Sequence, residues 1–245
     1  MDIDARWERW CKRFDEADRD IRTLFHSRHI WLSINEMWEK NADAIELNTL
    51  VYNWHINLYV NTQCTGIRRE CDSKEQTSSL ENCLQELIKY PGMANRSRFE
   101  AYVDLNAKIE ARFKATNKRK FDAFAEAPGS PDIDPVKVQT DIDRLRAAAL
   151  TTRTYTNKVV AHRQHMTTKI SLALTDLDTA LNTVGEVLKR YYTLRHPPMI
   201  KGNLTPDLPL GWERPYQAAW CTPEYMPLEA NPLDSYVHSS PQPEA

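Results

Sequence analysis

The sequence is poor in glycine, with only six among its 245 residues. Tight turns and phosphate-cradling loops depend on glycine, so few of either are expected. The chain also contains no Walker loop and no GxGxxG, HExxH or GxSxG sequence. Nucleotide hydrolysis, dinucleotide redox chemistry, zinc proteolysis and serine esterase activity therefore have no basis in its motifs.

Long apolar runs are absent as well. No stretch of about 18 apolar residues occurs, and charged residues stand at the amino terminus where a signal peptide needs an apolar run. We therefore expect a cytoplasmic protein without a membrane partner. The five cysteines form no CxxC pair, which favours neither disulfides nor a zinc site. No metal or other cofactor is predicted.

What the sequence does contain is helical periodicity. Apolar residues recur at spacings of three and four in stretches that begin at Trp7, Leu47, Phe99 and Leu174, and a shorter stretch follows Pro135. This spacing is typical of amphipathic helices. Together the stretches predict an all-α fold, a bundle of five or six helices.

Local signals mark where some of these helices begin and end. The sequence from Ser78 to Glu81 fits a capping box that opens a short helix, and Pro91 would end that helix. Asp134 and Pro135 suit the N-cap and first-turn positions of a later helix. Helix boundaries are therefore expected near residues 79, 90 and 135.

Proline is concentrated at the carboxyl end of the chain. Ten of the fourteen prolines lie from Pro197 onward, and no apolar period continues there. We expect a helical domain over residues 1–196 and a Pro-rich, extended or disordered tail over residues 197–245.

Positive charge is concentrated in one segment of the predicted domain. From Arg144 to Ile170 there is no acidic residue. Such a surface would attract a polyanion, or it could be a solvated helix face whose counter-charges come from neighbouring helices. The basic residues of this segment are Arg144, Arg146, Arg153, Lys158, Arg163 and Lys169.

Within the basic segment, His162 follows Asn157 and Lys158. In an α-helix Lys158 and His162 are one turn apart and share a face. RNA cleavage without a metal needs acid and base groups and a cation on the phosphate, and histidine titrates near neutral pH. We therefore select His162, Lys158 and Asn157 as candidate catalytic residues. Tyr155 and His165, near the same side, are candidates for contacts to the substrate, although each could simply be a packing or surface residue.

Two separated segments resemble a known family. The segment Asn157–His162 is similar to the RNKxxAH motif of HEPN proteins of the abortive-infection group. The segment Ile67–Asp72, followed by Ser79-Leu80 and Leu84, resembles the iRRxxD and SLxxLL pattern of the same group. The resemblance covers residues 1–195 and leaves the Pro-rich tail outside.

This resemblance implies an up-and-down helical bundle that forms a homodimer, with the motifs of both subunits near the dimer axis in one composite ribonuclease site. It implies RNA as the target and a prokaryotic abortive-infection or toxin-antitoxin context, in which an antitoxin protein is a further partner. In that site Arg153 and Arg163 would contact the RNA beside the catalytic candidates.

One position departs from the family pattern. The family's arginine, six residues before the histidine, falls on Thr156, and threonine supplies no charge to a phosphate. Arg153 would replace it only if the chain bends between Thr154 and Thr156. The alternative function is a non-catalytic dimeric helical module that binds RNA or a partner protein. Thr156→Arg is expected to raise metal-free cleavage if the enzyme interpretation holds.

Overall fold

The computed structural model describes residues 2–40, 49–74, 76–106, 111–160, 172–196 and 204. Within these ranges the chain forms eight α-helices and no strand, so the all-α prediction is confirmed. The helices are α1 (Ile3–Lys40), α2 (Thr49–Glu70), α3 (Leu80–Lys89), α4 (Arg96–Asn106), α5 (Ala111–Arg119), α6 (Pro135–Ala148), α7 (Leu150–Tyr155) and α8 (Leu174–Arg195).

The described residues contain more helices than the five or six predicted. The stretch that begins at Phe99 comprises α4, α5 and a short 3₁₀ turn, and the stretch after Pro135 divides into α6 and α7 at Ala149. Helical periodicity indicates which residues face the core. It does not reveal a short break between two consecutive helices whose apolar sides face the same core. The up-and-down order of the helices stays a prediction.

The first helix is longer than its predicted apolar stripe. The stripe from Trp10 to Leu24 is buried, as expected, and the burial continues through Trp31 and Ile34. Trp10 donates a hydrogen bond from Nε1 to the carbonyl oxygen of Cys83, 2.9 Å away, which ties α1 to α3 inside the core. An indole N–H that is buried needs such a partner.

The core lies where α1, α2, α3, α6 and α8 meet. Helix α3 packs on α6, α1 packs on α2, and α8 packs on both α2 and α6. Across the last of these contacts, Tyr191 donates a hydrogen bond to Oδ2 of Asp141 at 2.9 Å, and Arg190 pairs with the same oxygen at 2.9 Å. Asp141 is thus a buried acid with two partners that connect α6 to α8.

The predicted start of α3 is shifted by one residue. Ser79, rather than Ser78, is the N-cap, and its side chain accepts a hydrogen bond from the amide of Asn82 at 3.1 Å. Glu81 is buried and pairs with Arg146 instead of closing a capping box. The predicted N-cap at Asp134 is confirmed by its hydrogen bond from the amide of Val136, and Pro135 occupies the first turn.

The predicted tail lies outside the described residues except for Leu204. That side chain is 3% exposed and belongs to the hydrophobic core, where it approaches Gly185 of α8. A residue beyond position 196 therefore contributes to core packing. No helix in the described ranges is both long and apolar enough to cross a membrane.

Candidate functional site

The basic segment begins in the last turns of α6 and continues into α7. After α7 the backbone widens into a π-helix over residues Thr156–Val160. Both α7 and the π-helix pack against α2. Of the candidate residues, Arg153, Tyr155, Asn157 and Lys158 are in this part, whereas positions 162, 163 and 165 lie outside the described residues.

Two side chains show which side of α7 and the π-helix faces α2. Thr156 hydrogen bonds with the thiol of Cys64, and Arg153 lies near the thiol of Cys71. Arg153 and Thr156 therefore lie on the side of this part of the chain that faces α2.

Thr156 occupies an interior position at the beginning of the π-helix. It is 2% exposed, and its hydroxyl donates a hydrogen bond to the carbonyl oxygen of Thr152 at 2.8 Å. Thr152 makes the same kind of bond to the carbonyl oxygen of Ala149. The position that carries the family's arginine is therefore filled by a small, internally satisfied side chain.

The residues that follow Thr156 face solvent. Asn157 and Lys158 are exposed, and so are Val159 and Val160. Tyr155, in contrast, is half-buried and packs against the core, which leaves little of it for stacking on a base. In this stretch the structure presents Asn157 and Lys158 as its polar groups for a ligand.

The π-helix changes the geometry on which the pairing of Lys158 with residue 162 was predicted. A shared face at a separation of four residues is a property of the α-helix, whereas a π-helix closes its hydrogen bonds between residues five apart. The described backbone is π-helical through Val160. Position 162 lies outside the described residues, so the shared face of Lys158 and His162 stays a prediction.

Part of the positive charge is neutralised by neighbouring helices. Arg144 pairs with Glu186 of α8, and Arg146 forms two hydrogen bonds to Oε1 of the buried Glu81, at 2.6 and 3.0 Å. These two arginines therefore fit the alternative interpretation of the basic segment, a solvated helix face whose counter-charges come from neighbouring helices. Lys158 has no hydrogen-bond or ion-pair partner among the described residues, so its ammonium group can serve a ligand.

The second family-like segment builds the connection between α2 and α3. Arg69 pairs with Asp20 of α1 at 2.9 Å, and the amide of Leu80 donates a hydrogen bond to Oε2 of Glu70 at 3.1 Å. Ser79 donates its hydroxyl proton to the carbonyl oxygen of Asp72. These contacts connect α2 to α1 and to α3, so in this chain the segment has a structural role.

At this connection between α2 and α3, the apolar positions of the cysteines predicted their burial, whereas the burial of Glu70 was not predicted. Burial raises the pKa of Glu70 to about 7, although the amide of Leu80 and the charge of Arg69 oppose that rise. Burial also raises the pKa of the Cys71 thiol to about 12, which makes it a poor nucleophile at neutral pH. The burial of Glu70 could not be found from its spacing, because Glu70 directly precedes Cys71 of the apolar stripe and that pattern predicts an exposed helix position.

A second group of functional candidates was also missed. Arg6, Arg9 and Arg13 follow one another at spacings of three and four on α1, and they line a cleft between α1 and α3. The spacing of these arginines on one side of the helix was the signal in the sequence for this group.

The described ranges contain no candidate metal site. There, no group of three histidine, cysteine or acidic side chains is arranged to hold an ion. The chain matches no protein-family model, no curated protein and no solved structure.

Proposed function

We propose that the protein is a HEPN-like RNA-binding protein of a degenerate, weakly cleaving or non-cleaving kind, acting as a homodimer in an abortive-infection or toxin-antitoxin context. One observation carries the proposal: Lys158 and Asn157 are exposed on the π-helix, whereas Thr156, in the place of the family's arginine, is buried. The segment keeps groups that bind phosphate and lacks the charge that would stabilise the transition state.

The energetic argument separates binding from cleavage. A surface lysine that contacts one phosphate releases about one counterion and strengthens binding without regard to RNA sequence. Loss of a transition-state donor typically costs about 100- to 1000-fold in rate. A segment that has Lys158 and lacks the arginine is therefore expected to bind RNA and to cleave it slowly at most.

Dimerisation is part of the proposal because one histidine motif offers too few groups for two proton transfers. Helix α2, on which the π-helix lies, exposes Trp54 and Leu58, which are 57% and 51% accessible and four residues apart. Two large apolar side chains on one turn of a helix favour burial against another protein surface. A second copy of the chain is the occupant that the composite site requires.

Salt-dependent RNA binding tests the proposal directly. Fluorescence anisotropy with a labelled single-stranded RNA should show affinity that falls steeply with salt, and Lys158→Ala should reduce the slope of log K against log salt by about one. Lys189→Ala is the matched control, because Lys189 is exposed on α8 and distant from the π-helix along the chain. Absent or salt-independent binding would reject the proposal.

A second candidate function is a metal-independent endoribonuclease with His162 as acid and base, Lys158 on the phosphate and Asn157 as an orienting group. The π-helix favours it, because π-helical turns are frequent at functional sites. Arg153 is half-buried, and its use in place of the family's arginine stays a prediction. Arg163 and His165 remain predicted RNA contacts in both functions.

The decisive cleavage test uses the purified protein, mixed RNA and EDTA. Cleavage that His162→Ala abolishes would establish the endoribonuclease and reject the non-cleaving form. RNA binding without cleavage would establish the binding form. A dimer with neither property would leave a helical module whose partner is a protein, such as an antitoxin.

A further inference from the structure

A cleft of about 610 Å³ lies between the amino-terminal part of α1 and helix α3. Its volume is within the range of pockets that hold a small molecule, about 300 to 1000 Å³. Arginine and lysine side chains form much of its described lining, together with amide and hydroxyl groups. The residues that carry the following argument are Arg6, Arg9, Arg13, Glu86, Lys89 and Tyr90.

The three arginines converge because of their spacing on α1. Residues three and four apart lie on the same side of a helix, so Arg6, Arg9 and Arg13 form one row along the cleft. Lys89, the last residue of α3, adds a fourth cation from the facing wall. Four basic side chains from two helices therefore line one concave surface.

Glu86 orients part of this row. Its Oε1 lies 3.0 Å from Nη2 of Arg9, and its Oε2 lies 3.4 Å from Nη1 of Arg13. One carboxylate thus holds two guanidinium groups side by side. The described lining has four cations and one anion, so the cleft attracts negative charge.

Tyr90 positions the remaining two cations. The guanidinium carbon of Arg6 lies 3.9 Å from the centre of the Tyr90 ring, and Nζ of Lys89 lies 5.4 Å from the same centre. The stacking orients the Arg6 side chain and leaves the edge of its planar guanidinium group free for hydrogen bonds. A phosphate group matches that edge, because guanidinium groups bind phosphate oxygens in pairs.

We propose that this cleft binds a ligand with two or more adjacent phosphate groups. Four cations that converge from two helices exceed what one phosphate group requires. The proposal is independent of the RNA-binding function, because Lys158 lies on the π-helix and does not line the cleft. The phosphates could belong to a free small molecule or to an RNA end.

Isothermal titration of the full chain with sodium tripolyphosphate near 0.15 M salt tests the proposal. We expect saturable binding with a Kd below about 1 mM. Arg6→Gln should raise the Kd by about 10-fold or more, because a charged hydrogen bond is lost. Arg19→Gln is the matched control, since Arg19 is an exposed arginine of α1 that does not line the cleft.

Glu86→Gln should change the Kd for tripolyphosphate in the opposite direction. It removes the carboxylate that competes for Arg9 and Arg13, so binding should tighten by up to about 10-fold. A purely structural role of Glu86 would not improve binding. Thermal melting of each variant shows that the fold is retained.

Three results would overturn the proposal: no saturable binding by the wild type, an Arg19→Gln effect equal to that of Arg6→Gln, or weaker binding by Glu86→Gln. Competition by a 5′-triphosphorylated RNA and by a nucleoside triphosphate, at equal concentration, identifies the source of the phosphates. Lys158→Ala should leave tripolyphosphate binding unchanged, which separates this proposal from the RNA-binding proposal.

Discussion

The hydroxyl of Thr156 donates a hydrogen bond of 2.8 Å to the carbonyl oxygen of Thr152, and both side chains are buried. This contact fills the position at which the HEPN motif, which the sequence resembles, carries an arginine. A guanidinium group placed there would enter the packing between the π-helix and α2, where burial penalises its charge. The expectation that Thr156→Arg raises cleavage stays a prediction, and the buried placement adds an expected loss of stability.

Thr156→Arg is predicted to lower the free energy of unfolding by about 3 kcal/mol, because it buries an unpaired charge and overfills the core. Urea denaturation followed by circular dichroism measures the change. Thr151→Arg is the control, since Thr151 is exposed one turn earlier and should change stability by less than about 0.5 kcal/mol. A Thr156→Arg variant as stable as the wild type would contradict the buried placement.

Glu70 is predicted to make the protein less stable as pH rises. Its pKa is about 7 in the folded state and near 4.5 in the unfolded chain, so the folded state binds more protons between these values. Stability should therefore fall from about pH 4.5 to pH 7 and then stay level, by about 3 kcal/mol at most. The nearby charges are those of Arg69, which lowers the pKa, and Asp20, which raises it.

The test compares Glu70→Gln with the wild type by urea denaturation from pH 5 to pH 8. The amide keeps an acceptor for the Leu80 N–H and carries no charge, so this variant should lose the decline and be the more stable protein at pH 8. Glu126→Gln, at an exposed position, should follow the wild-type curve. A parallel decline in Glu70→Gln would assign the pH dependence to other groups.

Leu204 is predicted to stabilise the helical domain although it lies beyond the predicted boundary. It is buried beside Gly185, so Leu204→Ala should cost about 2 to 5 kcal/mol through lost burial and the cavity left behind. Thermal melting of the full chain gives the difference. Leu150→Ala, at an exposed position of α7, is the control and should cost far less.

Self-association through α2 is predicted from the exposure of Trp54 and Leu58. Light scattering at micromolar concentration should give a dimer, and Leu58→Asp should shift it toward monomer because a charge would enter the apolar contact. Val136→Asp is the control, since Val136 is 72% exposed on α6. A monomeric wild type, or dimers unaffected by Leu58→Asp, would contradict this use of the face.

Local signals in the sequence were sufficient for the fold class and for several helix ends. The apolar spacing of α1 and α8 identified their buried faces, and Asp134 with Pro135 marked the start of α6, because periodicity and capping act over a few residues. The same signals placed the N-cap of α3 one residue early. Two adjacent serines are equivalent in sequence, and only the position of Asn82 distinguishes them.

The sequence by itself determined an all-α protein with a basic segment that includes Lys158. Helical periodicity and local charge are both properties of short stretches of sequence, so they can be read without the fold. Only the tertiary structure decided which basic side chains of this segment are paired with acids. Arg146 forms an ion pair with Glu81 of α3, and Arg144 forms one with Glu186 of α8. It also decided that Thr156 faces Cys64 instead of solvent. These outcomes depend on helices distant in sequence, whose packing is selected by the burial of the whole core rather than by any short segment.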